Sequence, residues 1–363
     1  MTVKNNYNEC LTNLACSVQK YFGLAPKHNT LPFLDEILER EKPKKVVLVL
    51  LDGMGANILE RTLPENSFFR QNLVRNLTSV FPATTTAATT SVRTGLNPVE
   101  HGWLGWNMYI KPIDKIITLF LNSEKGKDGE ICEDFLGVKD KLVSNTIVDE
   151  MNENGNCAAE FFPFGENAYK NLDDMIEKVK ASSSQYVYAY DDEPDHTMHD
   201  FGPDDNRVKD LILERNDKIE KLCSELKDTL VIVTADHGHL KIEHVFLKNY
   251  PEFLDLLERT TSLEQRAVSF KVKSGKNAEF EKAFSELFGK DFRLYKKSEV
   301  IESGLFGDGN PNEFFEDAIG DYLAVAENSN KALVAEGEEV LVSHHAGCSD
   351  DEVLVPLIVK MCK

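Results

Sequence analysis

The chain lacks the features of a disulfide-stapled, membrane-spanning or polyanion-binding protein. Its seven cysteines (Cys10, Cys16, Cys132, Cys157, Cys223, Cys348 and Cys362) are spread out, odd in number and without a CxxC pair. That argues against both a disulfide framework and a thiolate zinc site. No uninterrupted apolar run approaches the roughly 20 residues that a spanning helix requires. The opening stretch, Met1-Thr-Val-Lys-Asn-Asn-Tyr, carries no apolar signal core, so the expected location is cytoplasmic, with no membrane partner. A basic stripe is missing as well. Lysines are scattered, and 61 acidic against 41 basic residues give a formal charge of −20. Such a field repels polyanions, which removes nucleic-acid polymers from the expected partners. No internal repeat or low-complexity tract is evident.

What the chain does have is length and apolar content. At 363 residues and 42% hydrophobic, it can build one large α/β domain with an insertion, or two domains. A small anionic substrate is compatible with the acidic surface if bound cations reverse the sign locally. Residues 1 to about 42 read as polar-amphipathic helix, broken by Pro43. Val46-Val-Leu-Val-Leu-Leu51 is a continuous β-branched and leucine run, the mark of a strand buried on both faces. Similar runs recur at Tyr186–Tyr190, Leu230–Thr234 and Val353–Val359. Helical stretches at Asp173–Ala181 and Asn206–Lys227 separate them. Buried strands alternating with helices predict a mostly parallel sheet covered on both faces. Residues 245–335 read differently. Arg266–Val272 alternates like a strand with one exposed face, Ala278–Phe288 is an amphipathic helix closed by Gly289, and Phe292–Tyr295 fits a further strand. The expected organisation is a catalytic domain of residues 1–244 and 336–363, carrying an α+β insertion at 245–335 that modulates substrate choice.

In open parallel sheets, ligands sit beyond the carboxyl ends of the strands. Three of the four runs deliver acids or histidines there: Asp52 after the first, Asp195 and His199 after the second, and Asp236, His237 and His239 after the third. Before the fourth comes Ser343-His344-His345-Ala-Gly347, a loop able to return to the same rim. Singly these fragments read as turns, caps or ordinary core. Together they offer the oxygen and imidazole donors that zinc takes in open, hydrolytic sites. A nucleophile candidate lies in Pro82-Ala-Thr84-Thr85-Thr86, because Pro82 disfavours helix before the cluster and Gly95 can end one after it. The threonines then fall near a helix N-terminus, where backbone N–H groups and the dipole favour anions. A simple threonine N-cap would account for one of them.

These motifs resemble the type I phosphodiesterase/nucleotide pyrophosphatase branch of the alkaline phosphatase superfamily. The resemblance rests on Leu-Leu-Asp52-Gly-Met-Gly, Phe-Pro-Ala-Thr-Thr85 through Thr94-Gly-Leu-Asn-Pro-x-x-His101-Gly, Glu-Pro-Asp195-x-x-x-His199-x-x-Gly-Pro, Thr-Ala-Asp236-His237-Gly and His345-Ala-Gly. It implies an α/β, alkaline-phosphatase-like three-layer sandwich with a mostly parallel central sheet. It also implies two divalent metal ions, zinc or else manganese or another divalent ion, and no organic cofactor. One ion would be held by Asp195, His199 and His345. The other would be held by Asp52, Asp236 and His237, with Thr85 completing its sphere. The resemblance selects Thr85 as the nucleophile that forms a phosphothreonine. It selects Asn107, one residue beyond the direct-spacing position Trp106, as the phosphoryl-binding asparagine. His101 would be structural. The implied activity is hydrolysis of phosphodiester or phosphoanhydride bonds in a small anionic substrate, nucleotides included. Rival readings are a phosphomonoesterase, a sulfatase or phosphonate hydrolase on the same site, and a catalytically silent metal-binding protein. A sulfatase normally needs a modified Cys or Ser, and a monoesterase needs extra positive groups. Arg93 is the only nearby arginine. Trp103, Trp106 and Phe315 are candidates to stack on a base, with core packing as the alternative role.

Overall fold

The computed structural model describes residues 5–127, 129–143, 145–165 and 168–363; the first four residues of the opening stretch lie outside the described residues. The six-stranded central sheet has the order β2-β17-β8-β1-β7-β6. Its strands are β1 (Lys45–Leu51), β2 (Leu73–Thr78), β6 (Ala158–Phe161), β7 (Tyr186–Asp191), β8 (Thr229–Thr234) and β17 (Leu354–Cys362). Strand β1 runs parallel to both β7 and β8, and β6 runs parallel to β7. Strand β17 is antiparallel to β8 and β2. Every residue of β7 and β8, and all of β1 after Lys45, is buried. Successive strand side chains point to opposite faces, so full burial means layers cover both sides, as the apolar runs predict. Leu50, Val233 and Tyr188 share this core with helix residues such as Ile212 and Val179.

The second sheet has seven strands in the order β13-β14-β12-β11-β3-β4-β5. Strands β3 (Asn107–Ile110), β4 (Lys115–Thr118) and β5 (Ser123–Glu124) come from before residue 245. Strands β11 (Ser262–Leu263), β12 (Ala267–Phe270), β13 (Arg293–Lys296) and β14 (Tyr322–Val325) come from after it. The seam is Leu263 opposite Asn107. An aromatic cluster of Phe253, Phe270, Phe280, Phe284, Phe288 and Phe292 backs the later half. One expectation fails here. Strand β12 has no exposed face, since all four of its residues are buried, and Arg266 beside it is fully buried. The polar alternation that looked like a solvent face instead reflects a buried ion pair from Arg266 to Glu352, with Nε–Oε1 at 2.6 Å.

Two short pairs complete the strands. Strand β9 (Leu240–Lys241) pairs with β16 (Ser343–His344), and β10 (Glu243–Phe246) pairs with β15 (Lys331–Val334). The β9–β16 pair fixes the two histidine-bearing loops side by side. Among the described residues no helix is long and apolar enough to cross a membrane.

Candidate active site

The carboxyl ends of β1, β7 and β8 form one rim, and because β17 is antiparallel to β8, the loop entering β17 starts at that rim too. Asp52 follows β1 directly, and the turn continues through Gly53 at φ +71°. A Cβ there would lie 2.7 Å from Met198 and 3.0 Å from the backbone of Asp195, so only glycine lets the first and second motifs close on each other. Asp195 and His199 stand four residues apart on the Asp195–Phe201 helix, hence on one face. Two donor sets result, each with ligand atoms within 4.8 Å of one another: Asp195, His199, His239 and His345, and Asp52, Asp236 and His237.

Four imidazoles are oriented the same way. His199 Nδ1 lies 2.9 Å from Ser343 O, His345 Nδ1 lies 3.1 Å from Ala83 O, and His237 Nδ1 lies 3.1 Å from Gly238 O. A carbonyl only accepts, so each Nδ1 carries a proton, which leaves Nε2 as the ring atom able to take a metal. His239 Nδ1 meets Ser343 Oγ at 2.9 Å, and that hydroxyl donates to Met198 O at 2.6 Å, so His239 Nδ1 is again the donor. Three of the Nε2 atoms face carboxylate oxygens. His239 is 2.5 Å from Asp195 Oδ1, His199 is 3.3 Å from Asp195 Oδ2, and His237 is 3.3 Å from Asp52 Oδ1 and 3.5 Å from Asp236 Oδ2. Such a contact needs a positive centre between nitrogen and oxygen, a proton or a metal ion, and imidazoles pinned through the second nitrogen are the usual support of a metal ligand.

The carboxylates fit the same conclusion. Asp52 Oδ2 accepts from Tyr190 Oη, and Asp236 Oδ1 accepts from the N–H groups of Gly53 and His237. Asp52 Oδ1 and Asp236 Oδ2 are buried with no hydrogen-bond partner among the described residues. Burial, then the carboxylates of Asp236 and Asp195, raise Asp52 well above the usual carboxylate range, and burial raises Asp236. Burial works in the same direction on Asp195, but His199 and His239 outweigh it and hold that carboxyl well below its ordinary value. Burial lowers His239 to about 4 and pushes His345 well down. Buried carboxylate oxygens and imidazoles in two adjoining clusters are the oxygen and nitrogen donor set suited to zinc-like divalent ions.

The Thr85–Thr94 helix begins beside the second donor set, with Thr84 as its extended N-cap residue and Gly95 in the left-handed region at its end. Thr85 Oγ1 lies 3.3 Å from His237 Nε2. Thr86 is fully buried, and the Thr84 hydroxyl donates to Glu264, so neither shares that position. Asn107 opens β3, and its Oδ1 accepts from Thr118 Oγ1 at 2.8 Å, leaving its amide N–H groups without a partner among the described residues. Thr85, Asn107, Asp195, His199, His345 and Glu264 all line one cavity of about 400 Å³.

Of the remaining sequence candidates, His101 is buried between Ser91 and the Trp103 N–H, and burial lowers it to about 3. It is a neutral structural group. Arg93 is engaged with Glu160 at 2.6 Å. Trp103 and Phe315 pack in the second core, whereas Trp106 is 37% exposed, stacks on Phe120 and lines the cavity. His344 accepts from the His345 N–H and belongs to neither donor set. The sequence places His239 at the same strand end as His237, but the resemblance assigned it to neither ion, whereas the structure sets it beside Asp195, His199 and His345. The sequence reading missed Tyr190, Ser343 and Glu264, which carry no local signal because their partners are distant in sequence.

Residues 46–178 and 162–347 match the pattern of the type I phosphodiesterase / nucleotide pyrophosphatase family. Human bis(5'-adenosyl)-triphosphatase ENPP4 is 24% identical over 243 residues, covering 59% of this chain and 51% of that protein. The Pongo abelii counterpart is 24% identical over 226 residues, 54% and 48% of the two chains. The chain thus spans about half the length of these relatives. Murine ectonucleotide pyrophosphatase / phosphodiesterase 5 superposes with a TM-score of 0.67 at 19% identity, covering 86% of this chain and 87% of that one. An inactive threonine-to-alanine form of that murine protein in complex with AMP gives 0.66 at 20% identity, with coverage of 86% and 87%. These likenesses show a shared, alkaline-phosphatase-like fold.

Proposed function

Because the chain belongs to the type I phosphodiesterase / nucleotide pyrophosphatase family, we propose that it hydrolyses phosphodiester or phosphoanhydride bonds of small nucleotide-like anions, with Thr85 as covalent nucleophile beside two divalent ions, zinc foremost. Asp195, His199, His239 and His345 hold one ion; Asp52, Asp236 and His237, joined by the Thr85 hydroxyl, hold the other. Bound there, the ions supply Lewis-acid stabilisation of charge on the attacking, leaving and non-bridging oxygens. The single observation that carries the reading is the common orientation of the four imidazoles, each with its Nδ1 tied back, three of them with Nε2 turned to a carboxylate.

The chain's own groups divide the remaining work. Thr85 Oγ1 attacks phosphorus as the bond to the leaving oxygen breaks, and water then displaces Thr85 from the phosphothreonine. The free backbone N–H groups of the first helical turn favour the phosphoryl charge. The Asn107 amide donates to a non-bridging oxygen that gains charge in the transition state. The AMP complex of the murine neighbour and the activity in the human relative's name support a nucleotide-type substrate. The inactive threonine variant of that neighbour supports a threonine nucleophile. The test is rapid-quench labelling with a phosphorus-labelled diester, followed by peptide mapping. Label on Thr85 is expected; label on Thr84 or Thr86 moves the nucleophile, and full turnover with no protein label removes the covalent scheme.

A further inference from the structure

Glu264 is nearly fully buried in the floor of the active-site cavity, yet it belongs to neither donor set. It sits in the turn between β11 and β12, just after Leu263, which takes the left-handed φ of +71°. One of its oxygens does two jobs. Oε1 accepts from the Thr84 hydroxyl at 2.7 Å and from the Trp106 N–H at 2.7 Å. Thr84 is the N-cap residue of the helix whose first residue is Thr85. Trp106 precedes Asn107, which pairs across the seam with Leu263. A single acceptor therefore joins three chain segments: the nucleophile turn, the start of β3 with the phosphoryl-binding asparagine, and the β11–β12 turn. The nucleophile turn is also gripped from its other side, because Ala83 O accepts from His345 Nδ1.

We propose that Glu264 is a positioning residue that holds the Thr85 hydroxyl and the Asn107 amide in fixed relation through its shared oxygen. The inference rests on the proposed phosphoryl transfer, since only that reaction needs both groups on one phosphorus. A buried carboxyl is costly to keep in an apolar wall, and hydrogen bonding two backbone-positioned donors is a return that an alanine or leucine could not give. What matters is an acceptor at Oε1, not a negative charge. Glutamine keeps a carbonyl oxygen able to accept both bonds and replaces only the second oxygen.

The test compares Glu264→Ala, Glu264→Gln and Thr84→Val on a chromogenic diester, with metal content and melting temperature measured alongside. Glu264→Ala is expected to lower kcat about 10²-fold with KM changed less than about threefold, the cost of misplacing a reacting group by about an ångström. Glu264→Gln is expected to recover most of that loss. Thr84→Val removes one of the same hydrogen bonds from the other side, keeps side-chain volume, and is expected to lower kcat in a way not additive with Glu264→Ala. It also keeps the test alive if the alanine variant fails to fold. A second readout needs neither metal nor turnover: in threonine-methyl-labelled metal-free protein, the Thr85 methyl resonance should broaden in the alanine variant and sharpen again in the glutamine variant. If Glu264→Gln falls as far as Glu264→Ala, the carboxyl acts through charge or a proton and the positioning role is overturned. Unchanged kcat in both Glu264→Ala and Thr84→Val overturns it as well. A wild type that turns over no diester strikes the proposed function instead, and the methyl spectra then judge Glu264 on their own.

Discussion

Thr85 and its two neighbours differ in one checkable respect, since only Thr85 brings its hydroxyl to the Nε2 edge of His237. Thr85→Ala should leave folding largely intact, because losing even a capping threonine costs about 1 kcal/mol. Catalysis should fall by several orders of magnitude, on the order of the ~10⁶ of a nucleophile knockout, whereas Thr86→Ala should cost far less; steady-state kinetics beside thermal melts checks both. His345→Ala should deplete one ion in elemental analysis, and His344→Ala should do so much less, because His344 only accepts a backbone N–H. Glu264 adds a pH signature. Burial raises its carboxyl to about 7 from an ordinary 4.5. The folded state then holds a proton that the unfolded state has lost between those values, so stability falls as pH rises from about 4.5 to about 7 and is flat above. The shift is worth about 3 kcal/mol. Urea unfolding of the wild type relative to Glu264→Gln should show that loss across the window; parallel curves would mean the carboxyl is charged throughout.

At the scale of elements, the buried pair of Arg266 and Glu352 connects the two sheets to the His345 loop. Glu352 accepts from Arg266 Nε at 2.6 Å and Nη2 at 2.8 Å, and also from the N–H groups of Gly347 and Ser349. Glu352→Gln leaves an unpaired buried guanidinium and should cost about 3–5 kcal/mol of stability, with the ion on the His345 side lost first on dilution into chelator. Burial tends to raise Glu352, but Arg266 outweighs it and lowers the carboxyl below its ordinary 4.5. Its stabilisation is therefore complete above that value and lost as pH falls through the folded one. These same elements mark what was legible in sequence. Strands β1, β7, β8 and β17 announce themselves as apolar runs, because burial on both faces demands apolar residues at every position. Their rim residues follow from topology. The β3–β5 segment gave no such signal, since short antiparallel strands mix Lys115 and Thr118 with Ile116 and Ile117. Arg266 misled for a physical reason: a buried charge with its partner 86 positions away is indistinguishable in sequence from a solvated one.

For the whole molecule, the site is a convergence of loops from the central sheet, capped by a second sheet built from both sides of residue 245. Chelation should abolish hydrolysis reversibly, and elemental analysis should return close to two zinc-like ions per chain; full activity in exhaustively metal-free protein would falsify the two-ion mechanism. Stability should fall with the ions, because Asp52 and Asp236 are left as crowded buried carboxyls. The position of β17 carries a last consequence. It is the final strand of the central sheet in sequence, yet it lies inside that sheet, between β2 and β8. During synthesis, β2 and β8 exist for more than a hundred residues of translation with facing edges unpaired, and His345 emerges only just ahead of the strand that closes them. A nascent chain stalled before His345 would present two open strand edges and one donor set short of a single imidazole, so the last donor and the last strand arrive together.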